Sequence, residues 1–261
     1  MKYQSILYAG FVIAPLIGSY IVKNLSMDLL WYIIGASHIL GAVIFARIPE
    51  KFKPAKTTVK KALKNNWQTT KKGFKHIKKT RNLMLVIGAG IFASIALMAE
   101  DGWTPLMVDT VGFPVESIGY FISALAAVMI FIPLLASKIK DEKKALMFLT
   151  SMQLILLLGT LFIKEGRFII AASLFVVPEM FRGLKRPILE HYFQKLIPSK
   201  IRATTTSIES MIYTGINTVI VIIAGALMDV FPIQYVIGCS SIFFIGSIIC
   251  FSKLKEKKQK N

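Results

Sequence analysis

Long apolar runs, nearly free of charged residues, recur along this chain and constrain what it can fold into. A helix needs roughly 20 apolar residues to cross the hydrocarbon core of a bilayer, which is about 30 Å thick. Hydrophobic residues make up 54% of the sequence, against roughly 45–50% in a soluble domain. Because the excess lies in these runs, the sequence predicts an all-α transmembrane bundle and not a large water-soluble core.

Eight membrane-spanning helices are predicted. In chain order they cover residues 5–22, 29–45, 83–98, 118–135, 145–163, 168–181, 208–231 and 235–251. The third span either ends near Met98 or continues to Val108, and the sixth becomes amphipathic after Phe181. The first run is preceded only by Lys2 and has no A-x-A cleavage site, so we interpret it as a span and not as a cleavable signal.

The distribution of basic residues predicts the orientation of the chain. With Met1 in the cytoplasm, the outer loops contain only Lys23, Lys164 and Arg167, and the remaining 29 of the 32 Lys and Arg residues lie on the cytoplasmic side or at cytoplasmic span ends. Because basic loops remain in the cytoplasm, we expect a plasma-membrane protein with both termini inside. The basic residues lie between apolar runs and form no continuous face, which argues against nucleic-acid binding despite a net charge of +18.

A basic segment, residues 49–82, separates the first two spans from the other six. The stretch from Arg47 to Arg81 carries 13 basic residues and one acid, Glu50. Apolar residues recur in it at helical spacing: Val59, Leu63, Trp67, Phe74 and Ile77. We interpret it as an amphipathic helix on the inner membrane surface, where anionic lipid headgroups attract the lysines; the alternative is a flexible charged linker. The basic tail, residues 253–261, is expected to be cytoplasmic and disordered.

Charged residues inside the sixth span mark the main candidate site. Glu179 lies about eleven residues into this span, near the bilayer middle at roughly 1.5 Å per residue. Spacings of three and four place Arg182, Arg186 and Glu190 on the same helical face. Such a stripe must face protein or water. Either Glu179 binds a proton or a cationic substrate, with the two arginines as charge partners, or it forms a structural salt bridge to Arg182.

Two further acids are candidates for the same path. Glu209 and Thr206 have capping-box spacing at the start of the seventh span. We expect Glu209 to cap that helix, or to pair with an arginine of the stripe at a cytoplasmic gate, in preference to contacting substrate. Glu100, together with the adjacent Asp101 and beside Trp103, either lines an outer vestibule that attracts cations or marks the point where the third span reaches water.

Prolines and small residues predict where helices pack or bend. Pro178 removes a backbone hydrogen-bond donor just before Glu179 and is expected to kink the helix, although fixed membrane helices also contain proline. In the first span, small residues at four-residue spacing permit close packing in lipid: Gly10, Ala14, Pro15, Gly18 and Ser19. We expect Pro15 and Gly18 to serve as packing and hinge positions.

The sequence predicts no cofactor, no metal site and no enzyme. The two cysteines, Cys239 and Cys250, lie in one apolar run and suggest neither a disulfide framework nor a zinc motif. The three histidines have no metal-ligand spacing. There is no H-E-x-x-H motif, no paired-aspartate motif and no Ser/His/Asp arrangement in the sequence.

Several of these motifs resemble those of major facilitator superfamily transporters. Gly10-x3-Ala14-Pro15-x2-Gly18-Ser19 is similar to the G-x3-G-P-x2-G-G motif on the fifth helix of the family's drug antiporters, with departures at Ala14 and Ser19. Arg47-Ile48-Pro49-Glu50 resembles the end of the sixth helix, before the long central loop. The stretch from Trp103 to Gly119 resembles the connection between the seventh and eighth helices.

The most specific likeness lies just before the seventh span. Ile197-Pro198-Ser199, followed by Arg202, Ala203, Thr204 and Ser207, resembles the family's connection between its tenth and eleventh helices. Gly225 and Asp229 fit the motif that closes the eleventh. By this resemblance the eight spans correspond to helices five to twelve of twelve. Residues 1–48 would be the last two helices of the N-terminal half, and residues 83–252 the complete C-terminal half.

The resemblance implies both a function and a gap. Members of the family transport a small solute by alternating access between two six-helix halves, often driven by a proton gradient. By this resemblance the first four helices would be missing, and Ser137–Lys144 keeps Asp141 and basic residues but lacks the glycines of the related family loop. We therefore expect a truncated or split proton-coupled efflux transporter of the drug-antiporter type. The alternative is a non-transporting subunit that associates with a partner chain supplying the missing helices.

Overall fold

The computed structural model describes residues 2–48 and 58–255, and this part of the chain is helical with no β-strand. The helices of eight or more residues, numbered in chain order, are α1 (Lys2–Asn24), α2 (Asp28–Ala46), α3 (Val59–Lys79), α4 (Arg81–Ala96), α5 (Ile118–Phe131), α6 (Glu142–Leu158), α7 (Phe168–Lys195), α8 (Arg202–Val230), α9 (Ile233–Ser240) and α10 (Phe244–Ser252).

Irregular helical turns lengthen several of these helices. After α4, the turns Glu100–Gly102 and Trp103–Pro105 lead into a π-helical segment, Leu106–Thr110. The third span therefore continues past Met98, as the longer of the two predicted versions has it. The turn Ile132–Lys138 extends α5, and Ser241–Phe243 joins α9 to α10.

Within residues 2–48 and 58–255, six segments are long and apolar enough to cross a bilayer: Asp28–Ala46, Arg81–Thr110, Val115–Lys138, Glu142–Phe162, Arg202–Val230 and Ile233–Ser252. The described apolar part of α1, Gly10–Asn24, is shorter. Helix α7 is long enough, but it carries Glu179, Arg182 and Lys185 among its first 18 residues. These eight segments match the eight predicted spans, and the all-α transmembrane architecture is confirmed.

Contacts divide the chain into two compact units. The first contains residues 1–64 and 114–130, and the second contains residues 65–113 and 131–261. Helix α5 thus clusters with α1 and α2, although it follows the basic segment in sequence. The division into a 1–48 part and an 83–252 half remains a prediction, since compactness does not test the correspondence with family halves.

The first unit is held together where α5 approaches α1. A Cβ atom added at Gly119 would collide with the Pro15 carbonyl oxygen and the Ser19 Oγ, and Ser19 is buried. Gly18, by contrast, has open space where its Cβ would lie. The close approach therefore involves Pro15, and the glycine that permits it is Gly119 of α5. The packing and hinge roles of Pro15 and Gly18 remain predictions.

The second unit has two hydrophobic clusters with polar residues between them. The first cluster includes Leu83, Val86, Leu146, Leu149, Ile188, Phe193 and Phe251. The second includes Trp103, Leu106, Val111, Leu157, Val236 and Phe244. Along α6, α7 and α10, buried polar side chains fall between the stretches that feed these clusters. We call Thr150, Gln153, Lys185 and Ser247 the polar layer.

The second half of α3 packs on the second unit. Ile77 is buried in the first cluster, Phe74 packs against that cluster, and Gly73 lies against Ile208 and Thr204 of α8. The exposed side carries Lys71, Lys72, Lys75, Lys78 and Lys79. This part is a helix with two faces, as predicted, but its apolar face contacts protein where we expected lipid. Burial against an existing cluster removes that face from solvent as effectively as a bilayer would.

The last described residues are also packed. Leu254 is buried, and Lys143 Nζ donates to its carbonyl oxygen at 2.9 Å. The Asn82 side chain donates to the Lys255 carbonyl at 2.7 Å and accepts from the Lys255 amide at 3.2 Å. The prediction of disorder from Lys253 onward is therefore wrong for the first three residues of the tail. Residues 256–261, like the Pro49-Glu50 pair, lie outside the described residues.

Helices α6 and α8 differ in whether a side chain caps the N-terminus. Asp141 caps α6 by accepting a 2.9 Å hydrogen bond from the Lys144 backbone amide, which holds the pKa of that carboxyl below its usual value. Helix α8 begins at Arg202 after Ile201, which provides no side-chain cap. Thr206 and Glu209 therefore lie inside α8, and the predicted capping box is wrong. The helix therefore already includes Arg202, Ala203 and Thr204, which precede the predicted start of the seventh span.

Replacing Gly119 by alanine is expected to destabilise the protein by about 1–3 kcal/mol, because the new methyl group would force the α1 backbone at Pro15 to move. Gly35→Ala in α2 is the matched control, since its Cβ would meet open space. Thermal unfolding of the purified protein in detergent measures both. Equal melting temperatures for the two variants would contradict the close approach of α5 to α1.

Candidate functional site

Arg182, one of the predicted charged residues of α7, forms ion pairs with Glu179 on its own helix and with Glu100 from a distant part of the chain. Arg182 Nε lies 3.3 Å from Glu179 Oε2, and Arg182 Nη1 donates to Glu100 Oε1. One guanidinium thus bridges a carboxylate of its own helix and one from the turn after α4. We call this arrangement the Glu179–Arg182–Glu100 bridge. The Glu179 side chain is 15% exposed, whereas those of Arg182 and Glu100 are 38% and 37% exposed.

A second buried cation, Lys185, lies one turn further along α7, and the sequence analysis missed it. The residue is only 7% exposed, and its Nζ donates to Gln153 Oε1. The Gln153 amide also donates to the Pro178 carbonyl at 3.1 Å, so α6 holds both Lys185 and the proline of α7. Lys185 Nζ lies 5.0 Å from the centroid of the Phe244 ring, a cation–π distance.

Signals for these two residues were present in the sequence. Gln153 is a lone amide within the apolar run of α6, where an unpartnered polar group is costly. Lys185 follows Arg182 by three residues and therefore lies close to it on α7. In the sequence Lys185 resembles the basic residues that flank cytoplasmic helix ends, whereas in the structure it is buried.

The charged residues border a cavity of about 350 Å³ within the second unit. Its walls come from α4, the turn after α4, α7 and α8. The polar lining residues are Ser94, Glu100, Asp101, Arg182, Lys185 and Asn217, and the apolar ones include Ala93, Leu97, Met98, Ile220 and Val221. Convergent polar groups beside apolar walls are features of small-molecule sites, and half of the residues that line this cavity are polar or charged.

The other predicted site residues lie elsewhere. Arg186 pairs with Glu190 at 3.1 Å and its side chain is 80% exposed, so it does not serve as a charge partner of Glu179 as expected. Glu209 is half-buried in α8 and forms none of the ion pairs found among the described residues, so neither predicted pairing with an arginine is present. Pro178 is buried inside α7.

The motif before the seventh span forms the first turns of α8. Arg202, Ala203 and Ser207 are exposed there, and Thr204 is half-buried beside Gly73. Ser207 also lines a wide, open groove together with Thr206, Ser210 and Thr214. The groove is separate in its lining from the charged cavity. Among the described residues, no group of three or more His, Cys, Asp or Glu side chains could hold a metal ion.

Spanning helices around a charged cavity are typical of membrane transporters. The sequence model of the Major Facilitator Superfamily matches residues 2–215, most of the chain, and the chain therefore belongs to that superfamily. It is a multi-pass membrane protein of a family of small-solute transporters. This confirms the resemblance at the level of the superfamily, while the drug-efflux branch remains a prediction. Comparison with individually curated proteins gives no significant match.

Arg182→Gln is expected to destabilise the protein by about 1–3 kcal/mol, because it leaves Glu100 and Glu179 without their shared cation in a partly dehydrated site. Arg186→Gln on the same helix is the matched control. It breaks only an exposed pair and should change the stability by less than about 1 kcal/mol. Denaturant titration in micelles compares the two variants; a similar loss for both would show that the bridge does not hold α7 to α4.

Proposed function

We propose that this chain performs proton-coupled efflux of a small solute by alternating access, with the Glu179–Arg182–Glu100 bridge in the proton path. The observation that carries the proposal is the position of this bridge, beside a solute-sized cavity in a membrane-spanning bundle. Ionisable side chains within the membrane are energetically costly, and those that are present usually have a function. Superfamily membership supplies the transport class, and the bridge supplies the coupling group.

The bridge offers a simple means of coupling. Two carboxylates on different segments share one guanidinium, so protonating Glu179 leaves Arg182 held by Glu100 alone. Deprotonation restores the competition between the two acids for the same cation. Each proton transfer would thus change how strongly α7 is tied to the turn after α4. A cationic group of the solute bound beside these carboxylates would oppose protonation of Glu179 by charge repulsion, as exchange of the two requires.

Pro178 is proposed as the bending point of α7. Proline removes one backbone hydrogen bond of a helix, and the site lies one residue before Glu179. The Gln153 amide donates to the Pro178 carbonyl and accepts from Lys185, so a bend at Pro178 would also move Lys185. The proton-binding residue and the bend would then be adjacent in the same helix.

We further propose a plasma-membrane location with cytoplasmic termini and with the exposed α3 lysines near anionic headgroups. The asymmetry of the basic loops supports this orientation. In a Cys239→Ser, Cys250→Ser background, Lys164→Cys is expected to react with an impermeant maleimide added outside intact cells. Lys72→Cys is expected to react only after permeabilisation. The reverse labelling pattern would overturn the proposed orientation.

A second candidate is a subunit whose path is completed by another chain. Arg182 and Glu100 keep more than a third of their side-chain surface exposed, and Asn217 is exposed within α8. Such groups do not face hydrocarbon, so they need either water or further helices beside them. A partner chain with four more helices, or a second copy of this chain, would provide that cover.

Proton movement in reconstituted vesicles tests the main proposal. Vesicles containing only this chain and a pH-sensitive dye are exposed to gradients of cationic, zwitterionic and anionic solutes. At least one solute is expected to drive proton movement. Glu179→Gln should reduce the rate by a factor of at least about 10, since an amide cannot carry the proton. Glu165→Gln, which changes an exposed acid outside the spans, should retain the wild-type rate.

Three outcomes separate the two candidates. Proton movement by the wild type and by Glu165→Gln, lost in Glu179→Gln, supports coupled transport through the bridge. Equal rates in both variants would remove Glu179 from the proton path. No movement by folded, inserted wild-type protein would exclude transport by this chain alone and favour the subunit function.

A further inference from the structure

Two charged residues that border the cavity are absent from the ion pairs found among the described residues: Lys185 and Asp101. The other two charged lining residues, Arg182 and Glu100, pair within the bridge, where Glu179 shares the same guanidinium. The cavity therefore offers one cation and one anion that the protein itself does not pair.

Lys185 is the more demanding of the two. It is more than nine-tenths buried, yet its hydrogen-bond partner is the neutral amide oxygen of Gln153. A buried ammonium outside an ion pair is strongly disfavoured, and the attraction to Glu179 and the contact with the Phe244 ring offset only part of that cost. Gln153 is itself fixed by its bond to the Pro178 carbonyl, so the ammonium is held in place at the cavity wall. This arrangement is expected of a residue that binds an anionic group of a ligand.

Asp101 is suited to the opposite charge. It is exposed and lines the cavity from the turn Glu100–Gly102, whereas the neighbouring Glu100 is occupied by Arg182. A carboxylate in this position can accept hydrogen bonds from an ammonium group without releasing a cation of the protein. The two free charges thus belong to different walls, one on α7 and one on the segment after α4.

The two charges of the cavity that lie outside ion pairs decide which class of solute fits. The acids Glu100, Asp101 and Glu179 outnumber the bases Arg182 and Lys185, so a solute with only a negative charge would add to an existing excess. A solute with only a positive charge would offset that excess but would leave the Lys185 ammonium outside any ion pair of the described residues. A solute with both charges satisfies Lys185 and Asp101 together.

Resting on the proposed function, we infer that the solute is a small zwitterion, of the size of an amino acid or a dipeptide. Its carboxylate binds Lys185 and its ammonium binds Asp101. The volume agrees, since about 350 Å³ is the space of roughly a dozen water molecules. Ser94 on α4 and Asn217 on α8 provide neutral hydrogen-bonding groups in the same cavity.

Ligand-induced thermal stabilisation of the full chain in detergent tests this inference. The twenty common amino acids and a set of dipeptides are screened individually, and the best binder is compared with its N-acetyl and methyl ester derivatives. The N-acetyl form keeps only the negative charge, and the ester keeps only the positive charge. Each derivative is expected to bind roughly 10–100-fold more weakly, because it leaves one charged residue of the cavity unpaired.

Two variants assign the charges to the residues. Lys185→Met should lose the preference for the zwitterion over the ester while keeping the preference over the N-acetyl form. Asp101→Asn should show the opposite selectivity. Lys164→Met, the same substitution at an exposed outer position, should keep both preferences. A variant that merely misfolds would lose both together, so selective loss reports on binding.

The inference is overturned if no zwitterion in the panel stabilises the protein, or if a singly charged derivative binds as tightly as its parent. The vesicle experiment separates this result from the fate of the proposed function. Proton movement driven only by cations, or only by anions, would retain coupled transport and reject the zwitterion. Zwitterion binding without proton movement would retain the site and reject the coupling.

Discussion

Lipid offers no hydrogen-bond partners, so polar side chains at membrane depth must be satisfied by protein or water. The second unit meets this constraint with its polar layer between two hydrophobic clusters. Ser247 donates to the Ala89 carbonyl at 2.7 Å, and Gln153 serves both Lys185 and Pro178. The arrangement of α4, α6, α7 and α10 depends on these bonds, because each joins residues far apart in sequence. The cavity lies where two charged side chains, Lys185 and Asp101, take part in none of the ion pairs of the described residues.

The positions of the spans could be predicted because the length of an apolar run is a local property with one physical cause, the bilayer thickness. The pairing of Glu179 with Arg182 also follows from helical spacing. The contact between Arg182 and Glu100 bridges 82 residues and depends on how α4 and α7 pack. No spacing rule contains that information. Lys185 was overlooked for a similar reason, since a cation near a helix end looks the same in sequence whether it reaches water or lies buried.

The incorrect expectations share one origin, the use of a local pattern where tertiary packing decides. Thr206 and Glu209 have capping-box spacing, but α8 starts at Arg202. The apolar stripe of α3 indicates an amphipathic helix without indicating what covers it, and the first hydrophobic cluster covers Ile77. Small residues in α1 indicate a close contact, while the glycine that makes room for it, Gly119, lies on the other helix. Periodicity identifies a face, and only the fold identifies its neighbour.

The packing of the last described residues has a practical consequence. Asn82 forms two hydrogen bonds with the Lys255 backbone, and Lys143 holds the carbonyl of the buried Leu254. These contacts tie the chain to the beginnings of α4 and α6. A fluorescent reporter or affinity tag fused directly after Ser252 would therefore displace part of the fold, and the same fusion placed beyond Lys255 would leave these bonds intact. The useful attachment point is therefore set by these hydrogen bonds to the backbone of Leu254 and Lys255, and not by the end of α10 at Ser252.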